Sequence, residues 1–173
     1  MLELKPPTAA EREAIAALYV RAFPANERRP LEPLMESHGG HAAMLAARED
    51  GAFCGFVSLL LWQDIAHIIY FAVEEEKRGN GLGGRILDTV QALYPGCRVI
   101  VDIEEPEEGA PNNPQRIQRR DFYLRNGYNP SDIHYHWEGT AYTILSRGGG
   151  VDGEDFWQFW EGLRKLAPGV GNY

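Results

Sequence analysis

Four of the six residues from Gly79 to Gly84 are glycine, and what flanks them leaves few folds open. Upstream, Ile65 to Val73 is a mostly apolar run rich in β-branched and aromatic residues, the pattern of a strand. A charged connector, Glu74 to Arg78, leads into the glycines. Beyond them Leu82, Ile86, Leu87, Val90 and Leu93 or Tyr94 recur at spacings of three and four, which predicts an amphipathic helix over 81–94. Glycines at a strand-to-helix junction let the backbone approach a ligand closely. The helix start adds unpaired N–H groups and a partial positive charge, which favour a phosphate. Arg78 and Arg85 bring full charges to the same place, so a phosphate-bearing cofactor is expected here.

The 173 residues suit one domain with a real core, and 44% hydrophobic content is that of a globular chain. With 17 basic and 25 acidic residues the net charge is −8, which argues against nucleic acid or an anionic membrane surface as partner. No apolar run reaches membrane-spanning length, and the first residues lack a signal-peptide pattern, so a cytoplasmic location is expected. Cys54 and Cys97 have no metal-ligand spacing, and no metal is expected.

Taken in order, the chain predicts a mixed α/β fold. A first strand at 2–5 is broken by Pro6-Pro7, and Thr8 with Glu11 forms a capping-box pattern ahead of a helix that ends by Phe23-Pro24. Arg28-Arg29-Pro30 opens a second helical piece with Leu31, Leu34 and Met35 on one face. Strands follow at 43–48, 53–62 and 65–73, the second apolar enough to be buried on both faces. After the 81–94 helix comes a strand at 98–103, parallel to the one before the glycines because a helix connects them. An acidic, proline-rich loop (104–114), a helix (115–125) stopped by Asn126-Gly127, and a strand from Tyr128 come next. Residues 131–139 read as irregular and 141–146 as the last strand. Gly148-Gly149-Gly150 is a hinge, so 1–147 is the main domain and 148–173 an extension carrying a short helix with Phe156, Phe159, Trp160 and Leu163 on one face.

Two cofactor families use such a glycine turn. Gly79-x-Gly81-x-x-Gly84 matches the dinucleotide fingerprint, and Asp102 lies near the distance of a ribose-binding acid. In that fold the strand runs almost directly into the first glycine, whereas five charged residues intervene here, and roughly seventy residues precede the unit. Arg78-Gly79-Asn80-Gly81-Leu82-Gly83 instead resembles the R/Q-x-x-G-x-G/A signature of the GNAT acetyltransferase superfamily. The later D-F-Y-L-R-N-G-Y, residues 121–128, is similar to that family's F-Y-x-x-x-G-F/Y. The resemblance runs from near residue 2 to near residue 146.

The resemblance implies a GNAT fold: a central, mostly antiparallel sheet with one parallel, splayed strand pair, flanked by helices, here with an extra C-terminal helix. It implies acetyl-CoA as co-substrate. The pyrophosphate would lie on Arg78, Gly79, Asn80, Gly81, Leu82, Gly83, Gly84 and Arg85, and the pantetheine arm would pair with the backbone of Phe71, Ala72 and Val73. Tyr123 would reach the sulfur as general acid or hydrogen-bond donor. Where many relatives have an asparagine seven residues before that tyrosine, this chain has Arg116, which with Arg119-Arg120 is a candidate for cofactor contacts or a solvated face. The first two helical pieces would cover part of the acceptor cleft, so Arg28 and Arg29 are candidates to touch substrate.

For the general base the sequence offers several residues. Glu104 ends the strand at the cleft mouth; His67 and Tyr70 lie on the adjacent strand, on opposite faces by alternation; His134 and His136 share a face of an extended segment. The expectation is an N-acetyltransferase, monomer or homodimer, acting on a primary amine of a small molecule or peptide. Glu104, Glu105, Glu107 and Glu108 around the cleft favour a cationic amine. A non-catalytic acyl-CoA sensor is the rival reading, and a dinucleotide oxidoreductase the third.

Overall fold

The computed structural model describes residues 1–173. Seven strands form one sheet in the order β1-β2-β3-β4-β5-β7-β6. They are β1 Leu2–Lys5, β2 Ala42–Glu49, β3 Ala52–Trp62, β4 Ile65–Val73, β5 Arg98–Glu104, β6 Asn129–Trp137 and β7 Thr140–Arg147. Every neighbouring pair is antiparallel except β4 and β5, whose crossover passes through a helix. The sheet is mixed α/β as expected, and β3 is buried on both faces from Cys54 to Leu60.

Four helices cover the sheet: α1 Ala9–Ala22, α2 Leu82–Leu93, α3 Asn113–Arg125 and α4 Gly153–Leu166. The first begins as its sequence demands, with the Thr8 side chain accepting from the Glu11 N–H while the Glu11 carboxylate accepts from the Thr8 N–H; such a cap stabilises by about 1 kcal/mol. Helices α1 and α4 share one apolar cluster, which includes Ile15, Leu18, Phe159 and Leu163. Helices α2 and α3 share the cluster on the other face, through Leu82, Ile86, Leu87, Val90 and Tyr123. The C-terminal extension is therefore built into the core. Gly162 makes its close approach possible, since a Cβ there would collide with the Trp62 indole. No helix is long and apolar enough to cross a membrane.

Three departures from the sequence reading matter. The expected second helix is only two single 3-10 turns, Glu32–Met35 and His38–Gly40, because Pro30, Pro33 and a left-handed Gly39 interrupt any longer run. Residues 131–139 are not irregular: β6 and β7 form a hairpin across Glu138-Gly139, both at positive φ. Alternation also fails on β4. Ser58 pairs with Tyr70 and Leu59 with Ile68, so Ile69 is an extra, bulged residue. The bulge resets the alternation, and His67 and Tyr70, expected on opposite faces, both face α1 and α4.

Candidate active site

The parallel pairing of β4 with β5 runs from Ile65–Arg98 to Ile68–Val101 and ends there. Beyond it the strands splay, so residues 69–73 have no strand partner on that side. Two cavities meet at this opening. On the α2–α3 face is a groove of about 850 Å³, lined by Phe71, Ala72 and Val73 of β4. Around the sheet opening, on the α1–α4 side, is a smaller pocket of about 170 Å³, lined by the residues just before them, Ile68, Ile69 and Tyr70.

The groove is a backbone surface. Gly79 and Gly81 have φ of +94° and +77°, a left-handed conformation natural to glycine, and a Cβ at either would meet nothing within 4 Å. Nothing in the fold needs those glycines for packing, and both line the groove just ahead of α2. Gly83 and Gly84 serve differently. A Cβ on Gly83 would press on the Phe122 ring, and one on Gly84 would collide with Asn126, so these two let α2 and α3 lie close together. The Arg78 Nε donates to the Val73 carbonyl at 3.0 Å, which folds the connector back against the strand end.

Of the residues expected to hold a cofactor, Phe71, Ala72, Val73, Arg78, Gly79, Gly81, Leu82, Gly83 and Gly84 line the groove. Asn80 does not. Arg85 turns away to an ion pair with Glu49 at 2.6 Å. Arg116 is also absent from the groove: it is 9% exposed, and its Nε pairs with Glu104 at 2.9 Å. The same Nε donates to the Asn112 side-chain oxygen, and Nη1 donates to the Glu105 carbonyl. It braces α3 to the end of β5. Gln115, Gln118, Arg119 and Arg125 of α3 line the groove instead.

Tyr123 lines the same groove and is almost fully buried, its ring edge-on to Phe122 and Tyr128. Burial pushes its phenol up to about 12, with Arg119 opposing. It stays protonated at neutral pH and so keeps an O–H to donate.

The carboxylates are arranged otherwise than expected. Glu104 is buried and already holds Arg116, Arg119 at 3.8 Å and the Asn112 amide. Glu107 also leans on Arg116, and Glu105 pairs with His134, so these acids are turned to partners within the chain. Glu27 lines the small pocket, as does Asp102. Burial, and then the Glu104 carboxylate nearby, raise Glu27 above the ordinary carboxylate range. No pattern in the sequence marks it: Glu27 sits in a loop after α1, outside any periodic run.

Inside the same pocket the His67 Nε2 pairs with Asp102, whose second oxygen accepts from the Tyr135 hydroxyl. The His67 ring is packed edge-on by Phe156, Phe159 and Trp160 of α4, and its Nδ1 has no partner. Arg29, Trp137, Trp160 and Tyr173 complete the lining. His136 does not line either cavity.

A family model for the GNAT acetyltransferase domain matches residues 40–130, more than half of the chain. Among solved structures, a protein described as a GNAT-family acetyltransferase from Bacteroides thetaiotaomicron superposes with a TM-score of 0.77 at 23% identity, over 97% of this chain and 99% of that one. An aminoglycoside 6'-N-acetyltransferase in complex with coenzyme A gives 0.68 at 12% identity, over 85% and 96%. The PaiA N-acetyltransferase of Thermoplasma acidophilum, also with coenzyme A, gives 0.59 at 14%, over 85% and 98%. No curated protein sequence matches the chain. The matched segment spans β2 to the start of β6 and holds the splayed strands, the glycine turn and Tyr123; the chain belongs to the GNAT acetyltransferase family.

Proposed function

We propose that the protein is an acetyl-CoA-dependent N-acetyltransferase that acts on a primary amine delivered through the small pocket. One observation carries this: the backbone groove and the pocket open on consecutive residues of β4, at the point where it leaves β5. The groove fits coenzyme A. Its left-handed glycines and helix start suit the pyrophosphate, and the unpaired edge of Phe71–Val73 suits an amide-bearing arm. Acetyl-CoA, when bound, supplies an acetyl thioester. Every other part of the reaction falls to the chain.

The amine nitrogen forms a bond to the acetyl carbon, the carbon–sulfur bond breaks, and the nitrogen gives up a proton. Glu27 is placed to take that proton. Its raised affinity for protons makes it a better acceptor than an ordinary carboxylate. Glu104 itself, the base expected from the sequence, is committed to two arginines. Tyr123 is placed to steady the departing sulfur. A phenol at about 12 facing a thiol of ordinary pKa about 8.5 keeps its proton by roughly 5 kcal/mol, so it hydrogen-bonds to the thiolate instead of protonating it.

The experiment is release of free coenzyme A thiol from acetyl-CoA across a panel of primary amines, with coenzyme A binding measured by calorimetry. Turnover of an amine is the expected result. Tight coenzyme binding with no turnover of any amine would leave an acyl-CoA sensor, and no coenzyme binding would overturn the reading altogether.

A further inference from the structure

The small pocket has two acids and a base on its walls. Glu27 and Asp102 face it from the loop after α1 and from β5, and Arg29 from two residues beyond Glu27. Asp102 is held as a carboxylate acceptor by His67 and the Tyr135 hydroxyl, with a quarter of its side chain open. Unlike Arg48, Arg98 and Arg116, which each have a carboxylate partner, and like its half-buried neighbour Arg28, Arg29 has none. Its guanidinium lies 4.8 Å from the centre of the Trp137 ring and 6.0 Å from that of Tyr173. Its side chain makes one hydrogen bond, 2.9 Å to the Asn172 carbonyl. Its backbone is pinned on both sides, since the Tyr19 hydroxyl donates to its carbonyl and accepts from its N–H. A rigidly mounted guanidinium with unused donors, beside two carboxylates it does not touch, is built for a negative group that the protein does not supply.

Resting on the acetyltransfer reading, we infer that the acceptor is a small aminocarboxylate: its amine lies between Glu27 and Asp102, its carboxylate on Arg29, and its short carbon frame among Tyr70, Tyr135, Trp137 and Trp160. Size agrees. A pocket of about 170 Å³ is close to the cavity of about 150 Å³ that takes one benzene ring. That leaves room for an aliphatic amino acid and is too little to enclose an aminoglycoside. A plain cation would find the two acids but would face Arg29 as a like charge. A peptide amino terminus would carry no carboxylate at that distance. Most of the walls come from outside the matched family segment: Glu27, Arg29, Tyr135, Trp137, Trp160 and Tyr173 all lie beyond residues 40–130.

The test compares matched amines on the intact protein. Glycine, alanine, valine, leucine, β-alanine and γ-aminobutyrate are each assayed against their carboxamides and against the corresponding plain amines, by thiol release and by calorimetric binding to the coenzyme A complex. At least one aminocarboxylate is expected to exceed its carboxamide by ten- to a hundredfold in kcat/KM, the worth of a charge-assisted pair. Arg29→Gln should erase that preference, and Arg29→Lys should restore part of it. Coenzyme A affinity should stay within about twofold in both, which shows that the fold survives. Equal or better use of carboxamides, plain amines or polyamines overturns the proposal while leaving acetyltransfer intact. So does failure of every aminocarboxylate to bind at about 10 mM when coenzyme A binds normally. Loss of coenzyme binding by the unaltered protein would instead strike the acetyltransferase reading beneath it.

Discussion

The groove and the pocket share one strand and are made in opposite ways. The groove is drawn mainly from two short stretches, residues 71–84 and 115–126, and one side of it is a strand end and four glycines. The pocket is drawn from six separate parts of the chain, and its surface is side chain: Glu27, Arg29, His67, Asp102, Tyr135, Trp137, Trp160, Tyr173. A ligand common to a whole family can be held by groups every residue has, provided the backbone takes an unusual path. A ligand particular to one protein needs side chains, and these arrive from wherever the fold brings them together. Four substitutions would sharpen this contrast or break it.

The largest effect is expected at Arg116, which the structure gives to neither region. Arg116→Leu removes the main partner of buried Glu104 and should cost about 3 kcal/mol or more of stability in denaturant unfolding. Coenzyme A affinity of the folded fraction should hardly change. A large fall in that affinity, with stability intact, would return Arg116 to the groove.

Tyr123→Phe should lower kcat by about a hundredfold, the worth of one well-placed donor to a developing anion, with coenzyme affinity unchanged. An unaltered single-turnover rate would take the hydroxyl out of the reaction. Next comes Gly81→Val. The side chain has room, but at a φ of +77° it strains the turn and covers the N–H groups beneath it. Coenzyme A binding should weaken about thirtyfold, as one charge-assisted hydrogen bond would, while the acceptor pocket keeps its selectivity. If instead selectivity for the amine shifts, the two regions are not independent.

The smallest expected effect is at Glu27. A base must be unprotonated, so with its affinity for protons raised, kcat/KM should fall with acidity at a pH above the ordinary carboxylate value of about 4.3. Glu27→Gln should cost roughly tenfold at neutral pH and flatten that acid limb. An acid limb that persists unchanged in the variant would assign it elsewhere, with Asp102 the first candidate.

What was legible in the sequence follows from the same contrast. The glycine turn, the strand before it, the capping box and Tyr123 are local patterns, and each lies where its pattern points. The order of the sheet up to β5 was legible because a helix must separate parallel strands. The pocket was not. Glu27 has no neighbour in sequence that marks it, and Asp102 showed itself only as an acid suited to a different cofactor. Trp160 and Tyr173 belong to an extension whose docking depends on Gly162 meeting Trp62, a contact about a hundred residues apart. The basic pattern around Arg116 was visible, but charge alone does not say whether an arginine faces a phosphate or a buried carboxylate.

Ile69 carries a consequence of a different kind. As the extra residue of the β4 bulge it fixes the parity of the strand, so that His67 and Tyr70 look one way while Phe71 begins the edge on the other cavity. Exchange for valine or leucine keeps that count and should pass almost unnoticed. Its deletion would turn one half of β4 inside out relative to the other, and either the donor side or the acceptor side would lose its lining. The identity of residue 69 is free to drift over generations, but the chain cannot afford to be one residue shorter there.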